Sequence, residues 1–247
     1  MKRLVFGLPF LLLLASPAWA QSIDLNGLLP SGEASASGRM IQLIALITVL
    51  SLAPGILIMV TSFIRFSIAF SFLRSGMGLQ STPSNMVMIS LALFMTFYVM
   101  GPTFDQAWHN GVQPLLDNQI NETQAYERVA APFRSFMLKQ VRDEDIGLFS
   151  DLAAANLNIK EATSPDEVEM RVLIPAFMIS ELQRGFEMGF LIALPFLVID
   201  LIVATITMSM GMMMLPPTAI SLPFKALFFV LIDGWNILVG SMIRSFF

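Results

Sequence analysis

Met208-Ser-Met-Gly-Met-Met-Met-Leu-Pro-Pro217 joins two apolar segments at the point where a soluble loop would turn polar. Five of its first seven residues are methionine. Gly211 frees the backbone, and Pro216-Pro217 prevents a helix from running straight through, because proline lacks the amide donor and clashes with the preceding turn. The stretch reads as a kinked, apolar, deformable connection at membrane depth, and so implies hydrophobic hairpins on either side of it. Methionine has three rotatable bonds and a polarisable thioether, so it closes around varied shapes without a fixed fit. Met210, Met212, Met213 and Met214 are therefore candidates for a soft seal in a conduit, since apolar constrictions can gate a pore. The plainer reading is gap-filling methionine at a helix–helix contact.

Composition agrees with hairpins in a membrane. Of the 247 residues, 55% are hydrophobic and 13% charged, against roughly 25% charged in a soluble domain. The mean hydropathy is +0.73. This is the profile of an all-α integral membrane protein. A net charge of -4 makes no case for a nucleic-acid partner. The chain has no cysteine and a single histidine, His109, which excludes disulfides, thiolate metal sites, two-histidine metal motifs and a serine–histidine relay. No cofactor, metal or catalytic residue is expected.

Working outward, Met1-Lys2-Arg3, an apolar run from Leu4 to Ala15, Pro17 and Ala18-Trp19-Ala20 read as a secretory signal peptide over 1–20. An uncleaved anchor is the alternative. Residues 21–39 read as a flexible periplasmic lead-in rich in Ser, Gly and Ala. A first hydrophobic hairpin is expected over 40–104. Ala53-Pro54-Gly55 is expected to break it into two helical pieces. Arg65 and Arg74 are placed in a short loop that suits the cytoplasmic side. The returning helix, from Asn85 to Met100, is expected to stop at Gly101-Pro102.

Residues 105–173 form a charged helical region expected in water. The stretch from Asp105 to Glu187 holds 14 of the 18 acidic and 7 of the 14 basic residues. Asn110-Gly111 and Pro114 read as turn signals. Tyr126 to Val141 reads as an amphipathic helix interrupted by Pro132. Ser164-Pro165-Asp166-Glu167 reads as a helix start with a capping box.

The second hydrophobic hairpin, 174–247, carries the remaining candidates. Glu181, Arg184 and Glu187 recur every three residues, so they line one side of a helix and can pair with one another or across subunits. Gly185 and Gly189 form a small-xxx-small pair that admits another helix, from a second subunit or from the same chain. Pro195 is expected to kink the helix. Asp200 lies in an apolar run, where a carboxylate costs roughly 2.5 to 3.5 kcal/mol on insertion scales unless it finds a partner or a wet cavity. Lys225 and Arg74 are its candidate partners, and Asp233-Gly234-Trp235 places a second carboxylate among apolar neighbours.

Read together, Pro175-Ala-Phe-Met-Ile-Ser-Glu-Leu-Gln-Arg-Gly-Phe-Glu-Met-Gly189 resembles the first signature of the flagellar biosynthetic protein FliP family. Pro195-Phe-Leu-Val-Ile-Asp200 resembles the second, and Gly211-Met-Met-Met-Leu-Pro-Pro217, Leu222-Pro-Phe-Lys225 and Asp233-Gly-Trp235 follow in the family's order. The resemblance is specific over 175–245. It implies a subunit of the flagellar type III secretion export gate, through which unfolded flagellar proteins leave the cytoplasm. It further implies a homo-oligomeric, five-fold ring with FliQ-like and FliR-like companions and other flagellar export membrane proteins. The location implied is the basal body in the bacterial inner membrane, with a periplasmic portion. On that resemblance Met212, Met213 and Met214 are the seal, and Phe186 joins Glu181, Arg184, Gly185, Glu187, Gly189, Asp200, Lys225 and Asp233 in packing and charge pairing. Two other functions fit the residues less well: an ion-coupled transporter using Asp200 and Asp233, against which the absence of an internal repeat counts, and a purely structural basal-body scaffold.

Overall fold

The computed structural model describes residues 36–79, 83–157, 167–211 and 216–247. Among them the chain is helical throughout, with no strand. The signal peptide, most of the lead-in, the helix start at Ser164-Pro165-Asp166 and Met212 to Met214 lie outside the described residues. The chain divides into two compact units, Met1–Leu52 and Ala53–Phe247. What is described of the first is helical from Ala36 onward. Its Met40, Ile41, Ile44, Ile47 and Leu50 side chains are exposed. Thr48 and Ser51 donate back to the Ile44 and Ile47 carbonyls, which hides both hydroxyls inside an apolar helix.

Helix α1, Ala36–Met59, runs unbroken past Pro54. The expected break comes six residues later, at the turn Val60–Ser62 that precedes α2, Phe63–Met77. Lipid-type helices tolerate one missing amide, so proline alone does not end them. Burial decides instead: Val60, Thr61 and Ser62 are all buried, and Val60 packs with Met137, Val141 and Phe177. Gly78 then closes α2 with a φ of 74°, and its amide donates back to the helix carbonyls, a conformation that suits glycine.

Ser84 caps α3, Asn85–Ala107, which passes through Gly101-Pro102 instead of stopping there. The expected turn at Asn110-Gly111 is a π-helical turn, Trp108–Val112, leading into the short α4, Gln113–Leu116. The wider turn brings Gly111 against α5, Glu122–Gln140, where an added Cβ would lie 2.5 Å from the Val129 side chain. Helix α5 is also continuous through Pro132. It begins four residues before Tyr126, at a reciprocal capping box between Asn121 and Gln124. Helix α6, Asp143–Leu157, opens with Asp143, Glu144 and Asp145, the charge that a helix N-terminus favours.

Helix α7, Met170–Ser209, spans 40 residues and passes through both Pro175 and Pro195. At 1.5 Å per residue it is roughly 60 Å long, about twice the hydrocarbon thickness of a bilayer. Pro217 starts α8, Pro217–Leu231, in the position where its missing amide costs nothing. Asp233 then turns the chain into α9, Gly234–Arg244. Two stretches, Asn85–Leu116 and Met170–Ser209, are long and apolar enough to cross a membrane, and the α1–α2 and α8–α9 pairs raise that to four if each counts as one bent span. The protein is thus an all-α protein with membrane-capable helices.

Two buried clusters hold the second unit. One gathers Phe66, Phe70 and Leu73 of α2 with Met95 of α3, Phe196 of α7 and Met242 of α9. The other joins Met137 of α5 and Ala153 of α6 to Leu173 and Phe177 of α7. Helix α7 belongs to both, so it is the spine of the fold.

Candidate functional site

The α2–α7 contact is built on small residues at four-residue spacing. An added Cβ at Gly185 would lie 3.1 Å from Ile68, and one at Gly189 would lie 2.5 Å from the Phe72 ring. Gly76 of α2 faces Ala193 in the same way, with only 3.3 Å to the Ala193 Cα. The seam therefore runs over Gly185, Gly189 and Ala193 against Ile68, Phe72 and Gly76. In this chain the glycine pair serves an intramolecular helix pair. Ala193 was not singled out in the sequence, and Gly76, which reads there as part of a turn Ser75-Gly76-Met77-Gly78, lies inside α2 instead because the helix continues to Met77.

That close approach brings buried charges together. Arg65, expected in a loop, sits in the first turn of α2 with its side chain 1% exposed, opposite Glu181, which is 0% exposed. Its Nε donates to Glu181 Oε2 at 2.9 Å, and Nη2 donates to Glu181 Oε1, a bidentate pairing suited to the planar guanidinium. Nη2 also reaches Gln140 Oε1 at 3.2 Å, and Nη1 donates to Ser245 Oγ at 3.1 Å and to the Ser245 carbonyl. The Phe246 ring lies 3.7 Å from the guanidinium carbon, and Gln140 Nε2 donates to the Phe246 carbonyl. One ion pair thus ties α2, α5, α7 and the carboxyl-terminal tail.

Glu181, Arg184 and Glu187 do not pair among themselves as their spacing allowed. Arg184 donates to Gln140 at 2.9 Å, and Glu187 accepts from Gln183 at 3.1 Å. Ser180, between them and α6, accepts from the Arg142 amide and donates to the buried Asp145 at 2.6 Å. Phe186 is exposed, with its ring edge against Phe72.

A second pair lies farther along the same spine. Lys225 Nζ of α8 donates to Asp200 Oδ2 of α7 at 2.6 Å and to the Gly76 carbonyl of α2 at 2.9 Å. Ser221 donates to Asp200 Oδ1 at 2.5 Å. Of the two candidate cations, the structure brings Lys225 to Asp200, while Arg74 lies in the last turn of α2 and donates to Asn85. The pair forms within one chain. Its lysine is nearly fully buried and its carboxylate 29% exposed, so both charges are neutralised at the base of the α7–α8 hairpin, away from its turn.

Asp233 has no such partner in the α7–α8 hairpin. It occupies the left-handed region at φ 53°, accepts from Asn236 at 3.1 Å and is exposed. Gly234 beside it is pressed onto Phe229, where an added Cβ would lie 2.4 Å from the ring. At the hairpin tip, Met208 and Met210 are exposed, and Gly211 turns the chain at φ 76° just before the methionine triplet. The arrangement is a locked interior carrying a soft, apolar, outward-facing tip. Among the described residues no three His, Cys, Asp or Glu side chains are grouped to hold a metal ion.

The sequence as a whole is similar to known proteins. A profile described as the FliP family matches residues 46–242. The flagellar biosynthetic protein FliP of Agrobacterium fabrum is 62% identical over 246 residues, covering 100% of both chains. That of Rhizobium meliloti is 63% identical over 229 residues, covering 93% of each. The Bacillus subtilis protein of the same name is 47% identical over 206 residues, covering 83% of this chain and 91% of its own. With the profile spanning both ion pairs, the glycine seam and the methionine-rich tip, the chain belongs to the FliP family.

Proposed function

We propose that this chain is a core subunit of the flagellar type III protein export gate, forming with FliQ-like and FliR-like companions the conduit through which unfolded flagellar proteins leave the cytoplasm. The subunits form a homo-oligomeric ring of five in the bacterial inner membrane at the basal body. Residues 1–20 direct insertion and are removed, 21–39 lead in from the periplasm, and 105–173 form the periplasmic portion between the hairpins 40–104 and 174–247. Met210, Met212, Met213 and Met214 close the conduit. The role is mechanical and electrostatic, with no catalysis.

The observation that carries this reading is the contrast between the two ends of the α7–α8 hairpin. Its base is fixed by Lys225, Asp200, Ser221 and the Gly76 carbonyl. Its tip leads through exposed Met208 and Met210 to Gly211. A conduit for chains of many sequences should not read side chains closely, which favours a flexible apolar ring, and an apolar constriction also excludes ions. The asymmetry suits a gate that deforms at its lining and holds its frame. Mass measurement of the purified particle tests the assembly: five copies with two kinds of small membrane partner support the gate, and a monomer with solute uptake refutes it. Ion conductance of methionine variants, taken up below, separates a lining role from a scaffold.

A further inference from the structure

The break between α1 and α2 leaves one polar group unaccounted for. Ser62 is 0% exposed, and its hydroxyl has no hydrogen-bond partner among the described residues. Buried hydroxyls are seldom left so, because burial forfeits their hydration and an unpaired one gains nothing in return. The neighbouring Thr61 hydroxyl donates to the Ile58 carbonyl at 3.3 Å, so the deficit is local to Ser62. Ser62 stands in the capping position of α2, where a serine ordinarily accepts from a backbone amide two or three residues on, and here it makes no such bond. The backbone gives the reason. Ser84 caps α3 at φ -63° and ψ 155° and accepts from the Val87 amide. Asn121 caps α5 at φ -86° and ψ 169° and accepts from the Gln124 amide at 2.9 Å. Ser62 shares their φ, at -69°, but its ψ is -1°, which turns the side chain away from the helix end. One dihedral separates it from a working cap.

We propose that Ser62 is a two-position hinge for the adjoining end of α1. Turning its ψ to the value at Ser84 brings the hydroxyl to the Arg65 amide, three residues on, as at Val87 and Gln124. That amide is one of the first-turn N–H groups that a helix leaves without a carbonyl of its own. The chain before Ser62 swings with the turn, while α2 and the Arg65 side chain stay in place. Little opposes the swing. Residues 54–59 are all exposed, and Gly55 has open space around it. The apolar anchor at this end is Val60, packed with Met137, Val141 and Phe177. The described position buries Val60 and leaves the hydroxyl unpaired. The second position pairs the hydroxyl and withdraws Val60. Burying one valine and pairing one buried hydroxyl contribute comparable free energies, so both positions are populated. A contact made by α1 in one position shifts such an equilibrium toward it. The inference concerns this chain alone and is independent of the export-gate reading.

The chain has no cysteine, so spin labels attach only where one is introduced. Ile56→Cys and Leu148→Cys, at exposed positions of α1 and α6, carry a label pair. Labelled full-length chain is purified with an excess of unlabelled chain, so that pulsed electron–electron double resonance reads distances within one molecule. Position 56 lies roughly 9 Å along the helix from Ser62. The wild type is expected to show two distances separated by about that length. Ser62→Ala removes the acceptor and should abolish the second distance with no loss of stability to denaturant. Val60→Ala should raise the ratio of second to first about tenfold, the factor for roughly two carbon groups that no longer have to leave the core. A control pair at Tyr126→Cys and Leu148→Cys, on α5 and α6, should give one distance in every variant. A single distance from position 56 in both the wild type and Val60→Ala would overturn the proposal. A second distance that survives Ser62→Ala would do so too, as would a matching split in the control pair, which would place the motion in the body of the fold and not at Ser62.

Discussion

Glu181→Gln is expected to destabilise the fold by about 3 kcal/mol, the lower end of the roughly 3–5 kcal/mol that follows loss of one partner from a buried ion pair. The side chains of Arg65 and Glu181 are 1% and 0% exposed, so water cannot replace the lost carboxylate. The charge left on Arg65 keeps Gln140, the Ser245 hydroxyl and carbonyl, and the Phe246 ring. Those are dipoles, and the desolvated cation–π contact, worth about 2 kcal/mol or more, is already present in the wild type and does not replace the lost carboxylate. Gln140 Oε1 is moreover shared with Arg184. The replacement glutamine retains one acceptor and turns an amide donor toward the guanidinium. Denaturant unfolding of the detergent-solubilised chain, followed by tryptophan fluorescence and extrapolated linearly, reads the change. The double variant Arg65→Met, Glu181→Leu removes both charges and should recover part of the loss. It should still fall short of wild type by about 1–3 kcal/mol, because Gln140 and Ser245 then lose a buried donor. Exchanging the two residues should not rescue, because a carboxylate at position 65 would face the Ser245 carbonyl. Glu181→Gln within ~1 kcal/mol of wild type, or an exchange as stable as wild type, would refute the reasoning.

The second pair should behave differently. Asp200→Ala and Lys225→Ala should each impair assembly and motility. Exchanging the two should restore only part, since the Gly76 carbonyl and Ser221 hydroxyl are arranged for a lysine at 225 and a carboxylate at 200; normal swimming in both single variants would exclude a role for the pair. Gly189→Ala should cost roughly 1–3 kcal/mol of stability by overpacking against Phe72, whereas Gly55→Ala, with open space around it, should be neutral or stabilise by up to ~1 kcal/mol. Unfolding of the two variants side by side checks this, and equal effects would contradict the seam. Replacing Met212, Met213 and Met214 together by alanine should leave the ring assembled while raising small-ion conductance, and an assembled ring as tight as wild type would make these residues packing rather than seal. Amino-terminal sequencing of the mature protein should begin at Gln21, and a start at Met1 would show the leader to be retained.

The prolines show where sequence reading misled. Pro54, Pro102 and Pro132 each promised a break, yet each lies inside a continuous helix. A proline removes one hydrogen bond, and a helix embedded in apolar neighbours loses more by unwinding than by carrying one unsatisfied carbonyl. The actual break at Val60–Ser62 carries no proline or glycine. It exists because Val60 is drawn into the core beside Phe177. Arg65 was misread for a related reason. An arginine in an apolar run looks like a loop residue until its partner is known, and that partner lies 116 positions away. The Asn121–Gln124 box that starts α5 was legible in the spacing of the residues and was overlooked.

By itself the sequence determined the class, the family and the chemistry of the parts. Low charge and high hydropathy require helices that satisfy their own backbone in an apolar medium. The order of motifs from Pro175 to Trp235 identifies the family. A carboxylate at 200 among apolar neighbours demands a cation somewhere. Only the tertiary structure decided which cation answers it, that Glu181 belongs to Arg65 and not to Arg184, and that Gly185 and Gly189 serve a neighbour in the same chain. The physical reason is range. Backbone satisfaction and hydropathy act over one or two helical turns and can be read along the chain. Pairing of buried charges and close helix contact depend on which faces meet, and the packing of α2 and α8 on the α7 spine fixes that.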